Sequence, residues 1–375
     1  MANHDSASSA PRVVVVHDYL TQRGGAERVA MELLRAFPGA GLVTSVYSID
    51  RTFPGFAEFD VQTLWPQRVP WIHDDARRLF PVLAGTFERK EVRNADLVIC
   101  SSSGWAHGVT TRAPKIVYCH NPARWLYQQE EFLSKSGGAV ATAARVLTER
   151  QRRRDRRWAS GADCYLANST TVQRRVFETY GIRARVLHPP RGLAVTGGVV
   201  PVEGLQAGFF LTISRARGYK NVDRVVAAVE QHDGPPLVVV GTEPADARHF
   251  TGVHWTGPVS DAQLRWLYVN CLAVVGAATE DFGLTPVEGH AFGKPSLCWR
   301  RGGYLDSVQE GVNGWFFNEM RTDSIRAGLR AIESTQWDVE QIKRTAEEFS
   351  PGYFRAQMRT IAAEITGLNF ASASV

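Results

Sequence analysis

The chain has no apolar run of the length a bilayer-spanning helix needs, about 20 residues, so no membrane span is expected. Its start, MANHDSASSAP, has neither a basic segment nor an apolar one. It therefore reads as a disordered tail over residues 1–11 and not as a secretion signal. Cysteine is scarce: Cys100, Cys119, Cys164, Cys271 and Cys298 are odd in number, and no CxxC joins them. Most lie in apolar, strand-like runs, so buried free thiols in a reducing cytoplasm are expected. The 10 histidines form no HxxxH or HxH pair, which argues against a structural metal. Two nucleotide signatures are missing as well. Neither half carries GxGxxG after its first strand, which disfavours the usual dinucleotide site, and no GxxxxGKS supplies a triphosphatase loop.

What is present suits a two-domain globular protein: 375 residues, 44% hydrophobic and 22% charged. The net charge of +5 favours acidic partners such as phosphates, anionic lipid or nucleic acid. RVVVVHDY reads as a buried parallel strand. A glycine turn and a helix follow, with Val29, Leu33, Leu34 and Phe37 on one face. Strand-like runs recur at GLVTSVYS, ADLVICSS, KIVYCH and DCYLANS, mostly with helical segments between them, as in a doubly wound α/β sheet. Thr170 and Gln173 fit a capping box at one helix start. The sequon Asn168-Ser169-Thr170 carries no weight without a secretion signal. Residues 188–204 are rich in proline and glycine and lack periodicity. The βα rhythm then restarts with GFFLTIS, a helix from Asn221, PPLVVVG, VHWTG, a helix opened by Ser260 and Gln263, and LAVVGAA. Two Rossmann-like domains, 12–190 and 206–350, are expected, joined by a linker at 191–205. They would face a cleft that holds ligand. A terminal helix and tail fill 351–375.

Several stretches carry chemistry. Arg215 and Lys220 directly follow a buried strand, where two cations either spread the charge of a diphosphate leaving group or only decorate a loop. Gly24 and Gly25 precede a helix whose N-terminus favours an anion, although most Gly-Gly turns are only turns. In TEDFGLTPVEGH, residues 279–290, Thr285 reads as an N-cap, Pro286 as the first helical residue and Glu288 as the third. Glu280 has no such local role. His120 closes an apolar strand and is either a site residue or a satisfied structural one. The run ERQRRRDRRW, residues 149–158, reads as a solvated helix face with internal pairs to Glu149 and Asp155, or as a surface for anionic headgroups. It has no interleaved aromatic platform, so nucleic acid is not expected as a partner.

EDFGLTPVE resembles the EX7E motif of retaining glycosyltransferases with the GT-B fold. With HDYLTQRGGAERV, YCHNPARWLY, LANSTTVQRRV, ISRARGYKNVD, EDFGLTPVEGHAFGKP and GGYLDSV in order, residues 12–365 are similar to family 4 glycosyltransferases, and most to bacterial O-antigen-type mannosyltransferases. The resemblance implies two Rossmann-like domains with the terminal helix returning to the first. It implies that Glu280 contacts the donor hexose and that Phe282, Gly283, Leu284 and Thr285 line the hexose and phosphates. Glu288 would hold the ribose, Arg215 and Lys220 the diphosphate, and Gly24 and Gly25 would let the N-terminal loop approach the β-phosphate. His120 would sit by the transferred sugar, with Tyr19, Glu27 and Arg124 on the acceptor side. Implied too is metal-independent retaining transfer without a cofactor, in keeping with the missing DxD, from GDP-mannose to a glycan or lipid-linked acceptor in cell-envelope polysaccharide or glycolipid synthesis, in the cytoplasm at the inner face of the plasma membrane. A UDP-sugar donor, or a non-catalytic binding module, is the alternative. Gly289, His290, Asp306 and HPPRGL depart from the family pattern, chiefly on the nucleotide side.

Overall fold

The computed structural model describes residues 10–69, 80–128, 139–214, 221–243 and 250–370, without side chains at 80–82 and 139–147. Arg215 and Lys220, and most of the N-terminal tail, lie outside the described residues. The chain divides into two compact units, Met1–Pro190 with Pro351–Val375, and Arg191–Ser350.

The first unit contains β1 (Val13–His17), β2 (Gly41–Thr44), β3 (Val61–Thr63), β4 (Glu91–Val92), β5 (Leu97–Ser102), β6 (Thr110–Thr111), β7 (Lys115–Cys119), β8 (Cys164–Ala167) and β9 (Arg185–Val186). Seven of them form one parallel sheet in the order β3-β2-β1-β5-β7-β8-β9, and β4 pairs with β6 apart from it. Helices cover both faces, so the central strands are apolar along their whole length: β5 and β7 are buried at every position. The helix Gly25–Ala36 buries Val29, Leu33 and Leu34, as its spacing predicts. The helix Pro351–Thr366 completes this core. Its Phe354 packs edge-on to Tyr118 with ring centroids 5.7 Å apart, and Arg355 Nη1 pairs with Glu32 Oε2 at 2.6 Å. The terminal helix thus returns to the N-terminal domain.

The second unit holds β10 (Phe209–Ile213), β11 (Leu237–Val240), β12 (Val253–Gly257), β13 (Cys271–Gly276), β14 (Ser296–Trp299) and β15 (Gly314–Phe317). They form a parallel sheet in the order β12-β11-β10-β13-β14-β15. In both sheets the first strand sits centrally, and the chain winds outward from it in both directions. The reversal falls between β1 and β5 in one unit and between β10 and β13 in the other, and ligands of such sheets bind outside the strand carboxyl ends at that reversal.

Between β9 and β10 lies no helix or strand. The cap at Thr170 is corrected by one residue: Ser169 is the N-cap and accepts the Val172 N–H, with Thr170 the first helical residue. Ser260 and Gln263 do form their reciprocal capping box. All five cysteines are free and buried, and burial pushes the thiols of Cys100, Cys271 and Cys298 up to about 12, which leaves them unreactive.

Candidate active site

In the second unit, β13 ends at the reversal point and the chain enters Ala277-Ala278-Thr279-Glu280. Glu280 is half-buried there. Thr212 Oγ1 donates to Val275 O at 2.9 Å and ties β10 to β13. Asn221 Nδ2 donates to Ala277 O at 2.8 Å, so the chain that leaves residues 215–220 is pinned to the strand end that leads to Glu280.

The helix starts earlier than its cap signals predict. It runs Leu284–Ala291, and its N-cap is Gly283, at φ +88° and with no side-chain cap. Thr285 is therefore not an N-cap, Pro286 is not the first helical residue, and Glu288 is the fifth and not a capping-box partner. Only glycine takes the left-handed turn at Gly283 without strain, and a Cβ there would collide with the ring of Tyr304. No side chain caps the first-turn N–H groups, and a helix N-terminus of this kind suits an anion or sugar oxygen. Phe282 is buried against Phe349, ring centroids 5.5 Å apart, so only its backbone is available to a ligand.

A second loop clamps this one. Gly303 N–H donates to Glu280 O at 3.0 Å. A Cβ on Gly302 would strike that same carbonyl, and one on Gly303 would strike the Phe282 Cα. The double glycine after β14 thus fixes the backbone from Glu280 to Gly283. The sequence offers it as a motif without a job, because its contact lies some 20 positions upstream.

Glu288 is half-buried, with Oε1 accepting from Gly192 N–H at 3.2 Å and Oε2 from Tyr268 Oη at 2.9 Å. Each carboxylate oxygen keeps a second lone pair for a ligand hydroxyl. The two departures beside it belong to the core. A Cβ on Gly289 would strike Val274, and His290 is buried with Nε2 2.9 Å from Ser296 Oγ.

In the first unit, β1, β5 and β7 are neighbours and end side by side. Asp18, directly after β1, is 2% exposed. Its carboxylate accepts from Ser103 N at 2.6 Å, Trp105 N at 2.8 Å and Ala106 N at 2.7 Å, locking the loop after β5. Sequence reasoning missed this residue, since its partners lie more than 80 positions away. Ser101 Oγ lies 2.8 Å from His120 Nε2 and 3.1 Å from His17 Nδ1. Burial, reinforced by His17, depresses His120 to about 3, so the ring is neutral near pH 7. Gly24 is the N-cap of the helix that Gly25 opens, again with no side-chain cap. Glu27 is buried in that helix and accepts from Gln22 Nε2 at 2.9 Å. Tyr19 is half-buried, and Arg124 is exposed at the start of the short helix Arg124–Tyr127. The structure therefore gathers Glu280, Phe282, Gly283, Leu284, Thr285 and Glu288 in one unit. In the other, Tyr19, Gly24 and Gly25 follow β1, and His120 and Arg124 follow β7.

Among the described residues no group of three His, Cys, Asp or Glu side chains is placed to hold a metal, and no helix is long and apolar enough to cross a membrane.

The family described as Glycosyltransferase Family 4 matches residues 23–193, and that described as Glycosyl transferases group 1 matches residues 202–349. The α-1,3/1,6-mannosyltransferase ALG2 of Dictyostelium discoideum is 29% identical over 112 residues, 28% of this chain and 27% of that protein. The chain thus aligns with only about a quarter of that relative's length. Among solved structures, Anabaena Alr3699/HepE in complex with UDP-glucose superposes with a TM-score of 0.66 at 16% identity, over 94% of this chain and 99% of that one. Sucrose-phosphate synthase of Thermosynechococcus elongatus gives a TM-score of 0.66 at 13% identity, over 95% and 99%. At these identities the likeness establishes the GT-B fold.

Proposed function

We propose that the chain is a glycosyltransferase of the GT-B type, its two units matched in turn by glycosyltransferase families, and that it moves mannose from GDP-mannose to a glycan or lipid-linked acceptor with retention of configuration. The observation that carries the reading is the Glu280–Leu284 loop. It leaves β13 at the sheet's reversal point, opens a helix N-terminus that no side chain caps, and is fixed by Gly302 and Gly303.

In this reading Glu280 accepts hydrogen bonds from hexose hydroxyls and the N–H groups at 283–285 face the phosphate oxygens. Glu288 accepts from the ribose. Arg215 and Lys220 meet the charge that builds on the departing diphosphate. The acceptor oxygen bonds to the anomeric carbon on the face from which the phosphate leaves, and its proton passes to the departing phosphate oxygen. No protein nucleophile and no metal is invoked. Neutral His120 serves as a hydrogen-bonding group and not as a base. Tyr19, Glu27 and Arg124 belong to the acceptor side, and Gly24 and Gly25 offer a helix N-terminus to an anion. Arg150, Arg153 and Arg157, exposed on one face of the helix Ala139–Ser160, suit anionic headgroups beside a lipid-linked acceptor.

The mannosyl part of the reading is supported by the likeness to an α-1,3/1,6-mannosyltransferase. A UDP-sugar donor is the second reading, favoured by a structural neighbour solved with UDP-glucose. Nucleotide release from a panel of sugar nucleotides separates the two. GDP-mannose is expected to be turned over best, and Glu280→Gln to lower kcat/KM by roughly 100-fold, about 2.7 kcal/mol. Equal rates in wild type and Glu280→Gln would sink the assignment of Glu280, and preference for a UDP-sugar would replace the donor.

A further inference from the structure

The helix Arg124–Tyr127 is one turn long, too short to hold itself. It is nonetheless braced from several sides. Arg152 donates to Leu126 O from Nε at 2.9 Å and from Nη2 at 2.7 Å, and its guanidinium lies 5.6 Å from the centre of the Tyr127 ring. Tyr127 Oη donates to Asp155 Oδ2 at 2.8 Å. Asp155 is only 1% exposed, and it also accepts from Tyr180 Oη at 2.8 Å and pairs with His107 Nε2 at 3.0 Å. A buried carboxylate is costly unless it is fully engaged, and this one is placed where it fixes a single turn of helix.

What that turn presents is Trp125. The residue is half-buried, and its ring lies 5.7 Å from that of Trp105 at an interplanar angle of 33°. Gly104 stands beside it: a Cβ there would lie 3.8 Å from Trp125 Nε1. Trp125 follows β7 and Gly104 follows β5, so the ring sits over the carboxyl ends of two adjacent central strands, next to the reversal point of the sheet. That is where such sheets take ligands. An indole offers an apolar face to the C–H side of a pyranose and leaves the ring hydroxyls to hydrogen-bond elsewhere.

We propose that Trp125 is the platform on which the acceptor's sugar ring stacks, held in place by Arg152 and Asp155. The proposal rests on the glycosyltransferase reading and concerns the unit that does not carry Glu280. The test uses the full chain, a panel of sugar nucleotides, and octyl α-mannoside and octyl β-glucoside as acceptor probes. Transfer and donor hydrolysis are measured in the same reactions. In Trp125→Ala the ratio of transfer to hydrolysis falls about ten-fold through a higher acceptor KM, the size expected for one lost aromatic contact. Trp125→Phe recovers most of it. Saturation-transfer NMR with methyl α-mannoside and methyl β-glucoside gives a readout that needs no turnover: the sugar's ring protons lose their enhancement in Trp125→Ala and keep it in Trp125→Phe. An unchanged acceptor KM and enhancement in Trp125→Ala overturns the platform, and so does a Phe variant no better than Ala. If wild type turns over no sugar nucleotide, the enzymatic reading falls, and the NMR comparison alone decides the platform.

Discussion

Individual buried side chains set how this protein responds to acid. His120 in the first unit and His290 in the second are both depressed to about 3, His120 by burial and then by His17, His290 by burial. In the unfolded chain each takes up a proton near its ordinary value, about 6.5. Between these values the unfolded state binds more protons than the folded one, so stability is full above about 6.5 and declines as pH falls toward 3. Carboxylates act in a lower window: Glu310, held below its ordinary value by its hydrogen bond to Arg300, loses that contribution only below about 4.5. The melting temperature is therefore expected to drop between pH 6.5 and 5, before carboxylates titrate. His290→Gln is expected to flatten that slope. A melting temperature constant from pH 7 to pH 5 would contradict the account.

The helix Ala139–Ser160 divides its arginines between two tasks. Arg152 is bound to Leu126 O and Arg156 to Thr179 O at 3.3 Å, and Arg154 pairs with Glu88, so these three belong to the packing of the unit. Arg150, Arg153 and Arg157, spaced i, i+3 and i+7, share an exposed face. Reversing their charge is expected to leave stability within about 0.5 kcal/mol, as at ordinary surface sites, and to abolish cosedimentation with phosphatidylglycerol-containing vesicles. Unchanged cosedimentation would remove the membrane from the proposal. Asp155→Ala, by contrast, strands two phenols and His107, and is expected to cost about 3–5 kcal/mol in urea unfolding. Both phenols stay protonated donors, since burial and Asp155 raise Tyr127 and Tyr180 above their ordinary values. The exposed face and the Glu149 pair were legible in ERQRRRDRRW, and the Asp155 network was not. Glu149 does pair within the helix, with Arg153 at 3.4 Å, but Asp155 pairs outward with residues at 107, 127 and 180, and a local window contains none of them. The strands were legible for the opposite reason: a parallel strand buried on both faces is an apolar run in itself, as in VVVVH and LVVV. Short strands such as SLCW and GWFF, with serine or glycine in four residues, gave no such signal.

The order of the units along the chain is interrupted once, and the interruption carries consequences for the whole molecule. The chain builds the first sheet, then the second, and returns with Pro351–Thr366 to cover the helix Gly25–Ala36. Phe354, Met358, Ile361 and Ala362 lie in one core cluster with Val29, Leu33 and Leu34. Arg355 pairs with Glu32, and Arg185 with Glu364 at 2.6 Å. Sequence periodicity foresaw a terminal helix, but its destination came only from family resemblance, because the apolar stripe of a helix states that it will be covered and not by what. The Glu280 loop was half legible in the same sense. A carboxylate without a local task stood out, whereas the early helix start at Leu284 depends on Gly302, Gly303 and Tyr304, which the chain supplies 18 or more positions later. Removal of residues 351–375 therefore strips one side of the first unit's core. Burying four apolar side chains of this kind contributes on the order of 5–10 kcal/mol, comparable to the whole stability of a domain. Hydrogen exchange on the shortened chain is expected to show lost protection across β1, β2 and the helix Gly25–Ala36, with β10, β11 and β13 protected as in the full chain. Equal loss in both sheets would mean that the terminal helix stabilises the molecule as one body and not through the first core alone.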